Sequence, residues 1–315
     1  MRATYLYHSF PRRPGSDVLH KGLTVLEEFL ARGLLLTPES IAFSEVLTDG
    51  RRGKEAQIFQ KRACFTELAP AELSEHAKTF GPFALEWEPS SLRRLGAVPV
   101  FYVPLVPTNA TLEGMGAALL SRLGEIQEVL VRLEKLKQVS LNNPNPAESI
   151  NVTINGRVVG ATACSVQGAR DLVSYLEHDC QPLEALTAAI RTFFGFFYPI
   201  EDLSYTDALG YYRQHEWRIV ANMVRLGKAV TVQPSSEDVE RLLHLDKDFF
   251  GRELQFPTCL QTRAAQCQYF RAFDERPIHE TVRRVVCPRE ALDRVRSMLA
   301  ERKIELDVAS LDGAT

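Results

Sequence analysis

The chain has 315 residues, of which 45 % are hydrophobic and 24 % are charged, and its formal net charge at pH 7 is -3. These proportions are typical of a globular protein and exclude a disordered or collagen-like chain. The 37 basic and 40 acidic residues provide no global positive field for nucleic acid. No apolar run or N-terminal segment has the character of a transmembrane helix or a signal peptide, and the six cysteines form no CxxC pair. We therefore expect a cytoplasmic protein without a metal ion or a membrane partner.

Short strands alternate with helices in the first third of the chain. Residues 5–10 alternate in the manner of a strand that ends at Pro11, with Tyr7 and Ser9 on one face and His8 on the other. Periodicity, Gly and Pro predict the elements that follow as a helix at 21–33, a strand at 63–66, a helix at 70–81, a strand at 83–87, a helix at 90–95 and a strand at 98–103.

The stretch 48–62 is the most polar part of the first half and includes the basic residues Arg51, Arg52 and Arg62. It is interpreted either as a solvated loop or as a mobile basic flap over an anionic ligand. A nucleic-acid-processing role for these arginines is disfavoured by the negative net charge.

The middle of the chain is predicted to be mostly helical. Residues 111–139 form a long helix whose leucines approach heptad spacing, which suits core packing or a partner-binding surface. Prolines and asparagines at 142–149 end that helix, and Asn155-Gly156 marks a β-hairpin within 150–163. The remaining predictions are helices at 168–178, 183–194, 236–245 and 289–302, and strands at 211–223, 229–232, 281–287 and 304–308.

Strands at both ends and helices between them predict a single α+β domain over 1–315. Its core would comprise 1–105 and 205–308, and 106–204 would be a helical insertion. We expect one mixed sheet to contain the strands at 4–10, 63–66, 83–87, 98–103, 215–221 and 282–287.

No GxGxxG, GxxxxGK[ST], GxSxG or HExxH pattern occurs in the sequence. Dinucleotide binding of the Rossmann type, P-loop chemistry and the common hydrolase and zinc-protease motifs therefore have no support. The candidate site must come from polar residues placed on strands.

One such cluster lies at 211–218. Strand alternation places Glu216 and Arg218 on the same face, roughly 6.6 Å apart along the strand. A neighbouring guanidinium keeps a carboxylate ionised, and an ionised carboxylate can bind a ribose hydroxyl or stabilise an oxocarbenium-like transition state. The alternative is a structural ion pair.

Two histidines are further candidates. His8, at the end of the first strand, is placed either to hydrogen-bond a ribose hydroxyl or to cap its own loop. His76 shares a helix face with Phe80 and either binds a ligand or has a core or cap role.

Several segments together resemble known families. They are His8–Phe10, Gly22–Leu34, Ala63–Leu68, His76–Ala84 and Val98–Val103, followed by the late Glu216-Trp-Arg218. Taken in order, they resemble abortive-infection proteins of the AbiGi type and a broader bacterial family marked by a late Glu-Trp-Arg. The similarity spans about 1–105 and 205–308.

The His strand followed by a Leu-rich helix is also similar to the start of ADP-ribosyltransferase-type domains, which carry a catalytic Glu on a late strand. This resemblance implies a mixed, split β-sheet core and nicotinamide adenine dinucleotide (NAD) as the substrate. It implies Glu216, His8 and Arg218 as catalytic residues. The residues it implies for NAD binding are Tyr7, Ser9, Tyr102, Tyr212 and His76.

The resemblances predict an anti-phage, abortive-infection protein that acts as an NAD-using, ADP-ribosyltransferase-like effector. The alternative is a non-catalytic antitoxin, sensor or partner-binding regulator of a defence system, with the helix at 111–139 as its interaction surface. Either interpretation includes a protein partner and no nucleic acid.

Overall fold

The computed structural model describes residues 4–11, 17–46, 52–104, 113–150, 153–154, 157–158, 164–179, 182–200, 215–221, 224–225, 228–255 and 260–313. The chain forms two compact units. The first comprises 1–43, 57–104 and 194–315, and the second comprises 44–56 and 105–193. The predicted insertion at 106–204 did not include 44–56, because nothing in that segment's sequence indicates which part of the chain it packs against.

The helices of the described chain are α1 (Val18–Arg32), α2 (Leu73–Phe80), α3 (Pro89–Arg94), α4 (Glu113–Asn142), α5 (Val166–Asp179), α6 (Leu183–Phe194), α7 (Ser236–Leu245), α8 (Lys247–Phe250), α9 (Arg263–Gln266) and α10 (Leu292–Glu301). Single 3₁₀ turns occur at Pro70–Glu72, Ile278–Thr281, Arg289–Ala291 and Leu311–Gly313. The bounds of α6 and α7 are those that the sequence predicted.

The strands of the first unit's large sheet are β1 (Tyr5–Phe10), β2 (Leu34–Val46), β3 (Arg52–Leu68), β4 (Phe83–Trp87), β5 (Val98–Pro99), β12 (Glu216–Val220), β17 (Gln268–Phe270), β20 (Arg284–Cys287) and β21 (Asp307–Ser310). Shorter strands are β6 (Phe101–Pro104), β7 (Ser149–Ile150), β8 (Thr153–Ile154), β9 (Arg157–Val158), β10 (Cys164–Ser165), β11 (Phe197–Ile200), β13 (Val224–Arg225), β14 (Lys228–Ala229), β15 (Glu253–Gln255), β16 (Leu260–Thr262), β18 (Ala272–Phe273) and β19 (Arg276–Pro277).

The large sheet is mixed. Its order is β17-β2-β3-β1-β4-β20-β21, with β12 paired to β3 and β5 paired to β12. β20 and β21 run parallel, whereas β4 is antiparallel to both β1 and β20. Five of the six strands that the sequence assigned to one sheet belong to it. The sixth, predicted at 98–103, is divided: β5 joins the large sheet, whereas β6 pairs with β11 in a separate two-stranded sheet. The mixed α+β architecture is confirmed.

The sheet divides along β3. This strand has three neighbours, so two of them must share one of its edges at different positions. The β1 ladder on β3 runs only from Tyr5 opposite Leu68 to Tyr7 opposite Thr66. Beyond Tyr7 the two strands no longer pair, and the sheet is partly split at this point.

One face of the sheet is apolar and carries the main core. Leu6 on β1, Phe65 on β3 and Ile219 on β12 are buried together with Leu26 of α1 and Val295 of α10. The amphipathic helices α1 and α10 therefore cover this face, since burial of their apolar stripes stabilises both layers.

Helix α1 approaches the sheet closely because Gly22 has no side chain. A Cβ atom at this position would lie 2.2 Å from the ring of Phe83 on β4. Such a distance is far below van der Waals contact, so this part of α1 requires glycine to pack on β4.

The predicted loop or flap at 48–62 is wrong, because β3 begins at Arg52. The alternating polar residues Gln60 and Arg62 are both buried, and Arg62 lies opposite Val220 of β12. Residues 47–51, including Arg51, lie outside the described part of the chain.

The second unit contains α4 and α5. Leu136 of α4 packs against the buried Val166 and Ala169 of α5. Two strands, β8 and β9, pair antiparallel at the predicted Asn155-Gly156 hairpin. Among the described helices, none is long and apolar enough to cross a membrane.

Candidate functional site

The second face of the sheet carries a row of polar side chains. Glu216 lies opposite Thr66, Thr66 lies opposite Tyr7, and Tyr7 lies opposite Glu86. Directly opposite residues point to the same face of a sheet, so this row shares one face, which we call the polar face. It is the side of the sheet away from α1 and α10.

Glu216 is held by donors from two strands. Arg218 Nε donates to Glu216 Oε1 at 2.9 Å, and the Tyr102 hydroxyl donates to Oε2 at 3.1 Å. Burial raises the pKa of Glu216, but Arg218 and Arg62 outweigh that effect and hold the pKa below its ordinary value. The carboxylate is therefore ionised at neutral pH, and 16 % of the side chain stays exposed.

Tyr102 keeps its proton. Burial and the adjacent Glu216 carboxylate both raise the pKa of the Tyr102 phenol, because each disfavours a second negative charge. The phenol therefore acts as a neutral donor to the carboxylate.

Arg218 links the carboxylate to the segment after α6. It is 0 % exposed, and its Nη1 donates to Gln60 Oε1 at 3.2 Å and to the carbonyl oxygens of Gly195 and Phe197 at 3.2 and 3.3 Å. The Gln60 amide nitrogen donates to the carbonyl oxygens of Phe194 and Phe197 at 2.8 and 2.9 Å. These contacts fix the Arg218 side chain, and Arg218 in turn fixes Glu216.

Arg62 completes the cluster. Its guanidinium donates to Gln60 Oε1 and to Glu39 on β2. The guanidinium carbons of Arg62 and Arg218 lie 5.6 and 5.3 Å from the centroid of the Tyr198 ring, within cation–π range. Burial lowers the pKa of Arg62, but the neighbouring Cys64, Glu39 and Glu216 more than reverse this and raise it.

Sequence reasoning missed Gln60, Arg62 and Tyr198 as members of this cluster. The available signal was the alternation of Gln60, Arg62 and Cys64 on the same strand face as Thr66. That signal was masked because the surrounding stretch is polar throughout.

The structure does not place His8 with Glu216. His8 follows Tyr7 on β1, so its side chain points to the apolar face, where its ring lies 5.6 Å from that of Phe65. Its Nδ1 donates to the Cys64 carbonyl oxygen at 2.8 Å. His8 thus joins β1 to β3 just beyond the end of their ladder, and its predicted partnership with Glu216 is corrected.

The residues predicted to bind NAD are distributed as follows. Tyr102 contacts Glu216, and Tyr7 and Ser9 lie on the polar face, where the Ser9 hydroxyl oxygen is buried without a hydrogen-bond partner in the described chain. His76 stacks on Phe80 in α2, with ring centroids 4.3 Å apart. Tyr212 lies outside the described residues.

A second buried carboxylate occupies the polar face. Glu86 is 0 % exposed and accepts from the Tyr7 hydroxyl at 2.7 Å, from Arg284 Nε at 2.8 Å and from Arg283. Burial and Glu86 raise the pKa of Tyr7, which stays protonated. Because Glu86 is fully buried, whereas Glu216 keeps an exposed fraction, we regard Glu86 as structural.

The described residues contain no group of three or more His, Cys, Asp or Glu side chains that could hold a metal ion. Comparison with protein-family models, with curated proteins and with solved structures finds no match to this chain.

Proposed function

We propose that the chain is an ADP-ribosyltransferase-like enzyme that breaks the bond between nicotinamide and ribose in NAD, with Glu216 as its catalytic carboxylate. One observation carries the proposal: Glu216 is ionised, fixed on both oxygens and still 16 % exposed. The resemblance to abortive-infection proteins extends the proposal to an effector of anti-phage defence.

The chemistry requires a fixed negative charge. When nicotinamide departs, positive charge develops on the ribose ring, and a carboxylate that is already oriented stabilises it without reorganisation. Arg218 and Tyr102 provide that orientation, since each donates to a different oxygen of Glu216. Arg218 is fully buried and therefore acts as a positioning residue.

Two of the residues predicted to bind NAD lie on the same face as Glu216 but are not accessible to a sugar. Tyr7 is 1 % exposed and its hydroxyl donates to Glu86, and the hydroxyl oxygen of Ser9 is buried. We therefore assign neither side chain a contact with the dinucleotide. His8 is not assigned one either, because its side chain lies on the apolar face.

The test is the substitution Glu216→Gln, which keeps the shape and the contact with Arg218 but removes the charge. We expect the rate of NAD cleavage, measured by chromatography of the released nicotinamide, to fall by a factor of about 10²–10³. This is the usual effect of losing one preorganised electrostatic contact. Glu67→Gln is the matched control. Glu67, on β3, is half-buried like Glu216 and accepts hydrogen bonds from Thr4 and Trp217. Unlike Glu216, it lies on the apolar face of the sheet.

The second candidate function is a non-catalytic, partner-binding regulator, favoured by α4. From Arg122 to Val139 no side chain of this helix is buried, and Ile126 and Val129 are 48 % and 51 % exposed. If wild-type protein releases no nicotinamide and Glu216→Gln lowers the melting temperature sharply, Glu216 is structural and the regulator takes its place.

A further inference from the structure

The half-buried Cys64 lies beside the catalytic carboxylate on the polar face. On β3 it stands directly opposite Arg218 of β12, and Thr66, two residues further along, stands opposite Glu216. Cys64 and Glu216 are therefore diagonal neighbours on one face, within reach of a side-chain contact. The cysteine carries a reduced thiol.

The register directs the Cys64 thiol to the same face as the Glu216 carboxylate, and a thiol donor at this position lowers the pKa of Glu216. Besides the two donors already described, Arg218 from β12 and Tyr102 from β6, Glu216 thus has a third donor group beside it on β3. Arg218 and Tyr102 approach from the side of β12, whereas Cys64 is the donor on the β3 side, which leads to the split between β3 and β1.

We propose that Cys64 is a positioning residue for the reaction assigned to Glu216, with its thiol as the third donor that orients the carboxylate. This inference rests on the proposed function for its catalytic meaning. The hydrogen bond itself can be tested without it.

The charged and titratable groups that face Glu216 come from every element around it. They are Arg218 on β12, Arg62 and Cys64 on β3 and Tyr102 on β6. Tyr198 on β11 lies against the two arginines, and Glu39 on β2 acts through Arg62. The arginines keep their charge across the accessible pH range. A substitution at Cys64 should therefore change the pKa of Glu216 directly, and not by changing the charge of a neighbouring residue.

The experiment compares Cys64→Ala, which removes the donor, with Cys64→Ser, which replaces the thiol by a hydroxyl donor. The Glu216 carboxyl carbon is followed by ¹³C NMR between pH 3 and 7, and its signal is assigned by its loss in Glu216→Gln. We expect Cys64→Ala to raise the pKa of Glu216 by about half a unit, because a thiol is a weak donor. Cys64→Ser should leave the pKa at or below the wild-type value.

Activity gives the second readout. In Cys64→Ala the acidic limb of the pH–rate profile should move upward by the same shift, and Cys64→Ser should restore it. If Cys64→Ala is too unstable to titrate, Cys64→Val fills the volume without a donor and carries the same expectation.

Equal pKa values of Glu216 in wild type and in both donor-free variants would overturn the role of Cys64. If the pKa of Glu216 shifts in Cys64→Ala but the wild-type protein does not cleave NAD, the contact between Cys64 and Glu216 is supported and the proposed function is rejected. The two failures are therefore distinguishable.

Discussion

Replacing Asp238 by alanine should destabilise the first unit more than any neighbouring surface change. Asp238 is 1 % exposed and forms a capping box at the start of α7: its Oδ2 accepts from the Ser235 amide at 3.0 Å, and its own amide donates to the Ser235 hydroxyl at 3.2 Å. Its Oδ1 also accepts from Arg32 of α1 at 2.5 Å and from Arg241 at 3.1 Å. One carboxylate thus caps a helix and joins α7 to α1.

The magnitude follows from these contacts. Asp238→Ala removes one of the two capping-box bonds, which costs about 0.5–1 kcal/mol, whereas the backbone amide at position 238 still donates to the Ser235 hydroxyl. Hydrogen bonds to charged groups contribute about 1.5–3 kcal/mol each, and this is reduced here because Arg32 and Arg241 remain 24 % and 32 % exposed and stay solvated. We expect Asp238→Ala to lower the free energy of unfolding by about 3 kcal/mol, which corresponds to roughly 6–12 °C in melting temperature for a unit of this size.

The assay is urea denaturation followed by circular dichroism, with Glu237→Ala as the matched control. Glu237 precedes Asp238, is 81 % exposed, and lies 3.9 Å from Arg32 and 3.5 Å from Arg241. Its loss should cost less than about 0.5 kcal/mol. Equal destabilisation by the two substitutions would refute the assignment of Asp238 as a buried cap and junction.

The pH dependence of this effect has a definite sign. Burial raises the pKa of Asp238, but the Ser235 cap and the arginines outweigh it and hold the pKa below its ordinary value. A lowered pKa stabilises the folded state above the unfolded pKa of about 3.9, and the contribution is lost as pH falls further. The difference between wild type and Asp238→Ala should therefore be constant from pH 8 to 5 and shrink below about pH 4.

Two further substitutions test the two faces of the sheet. Tyr7→Phe removes the hydroxyl that donates to Glu86 at 2.7 Å and should lower the free energy of unfolding by about 1 kcal/mol in a urea titration, since the arginines still neutralise the carboxylate. An unchanged midpoint would show that the bond contributes nothing. His8→Leu removes the bond to the Cys64 carbonyl and should cost a similar amount while leaving NAD cleavage within about twofold of wild type. A hundredfold loss of cleavage in folded His8→Leu would return His8 to the site.

Local patterns in the sequence determined the bounds of two helices and one residue pair of the candidate site. Apolar periodicity and the flanking caps predicted α6 and α7 correctly because these signals are carried by residues within a few positions of each other. Glu216 and Arg218 form the expected same-face pair, with 2.9 Å between Arg218 Nε and Glu216 Oε1, because strand alternation has a period of two. Strand alternation also predicted correctly that Tyr7 and His8 point to opposite faces of the sheet.

Only the tertiary structure decided which of those faces meets Glu216. That choice depends on the register of three strands, Tyr7 opposite Thr66 and Thr66 opposite Glu216, and no local pattern carries it. The same holds for β3. Gln60 and Arg62 look like solvated loop residues in the sequence. In the folded chain the carbonyl oxygens of Phe194 and Phe197, up to 137 positions away, accept from Gln60, and Gln60 and Glu39 accept from Arg62. These bonds make burial in a strand favourable.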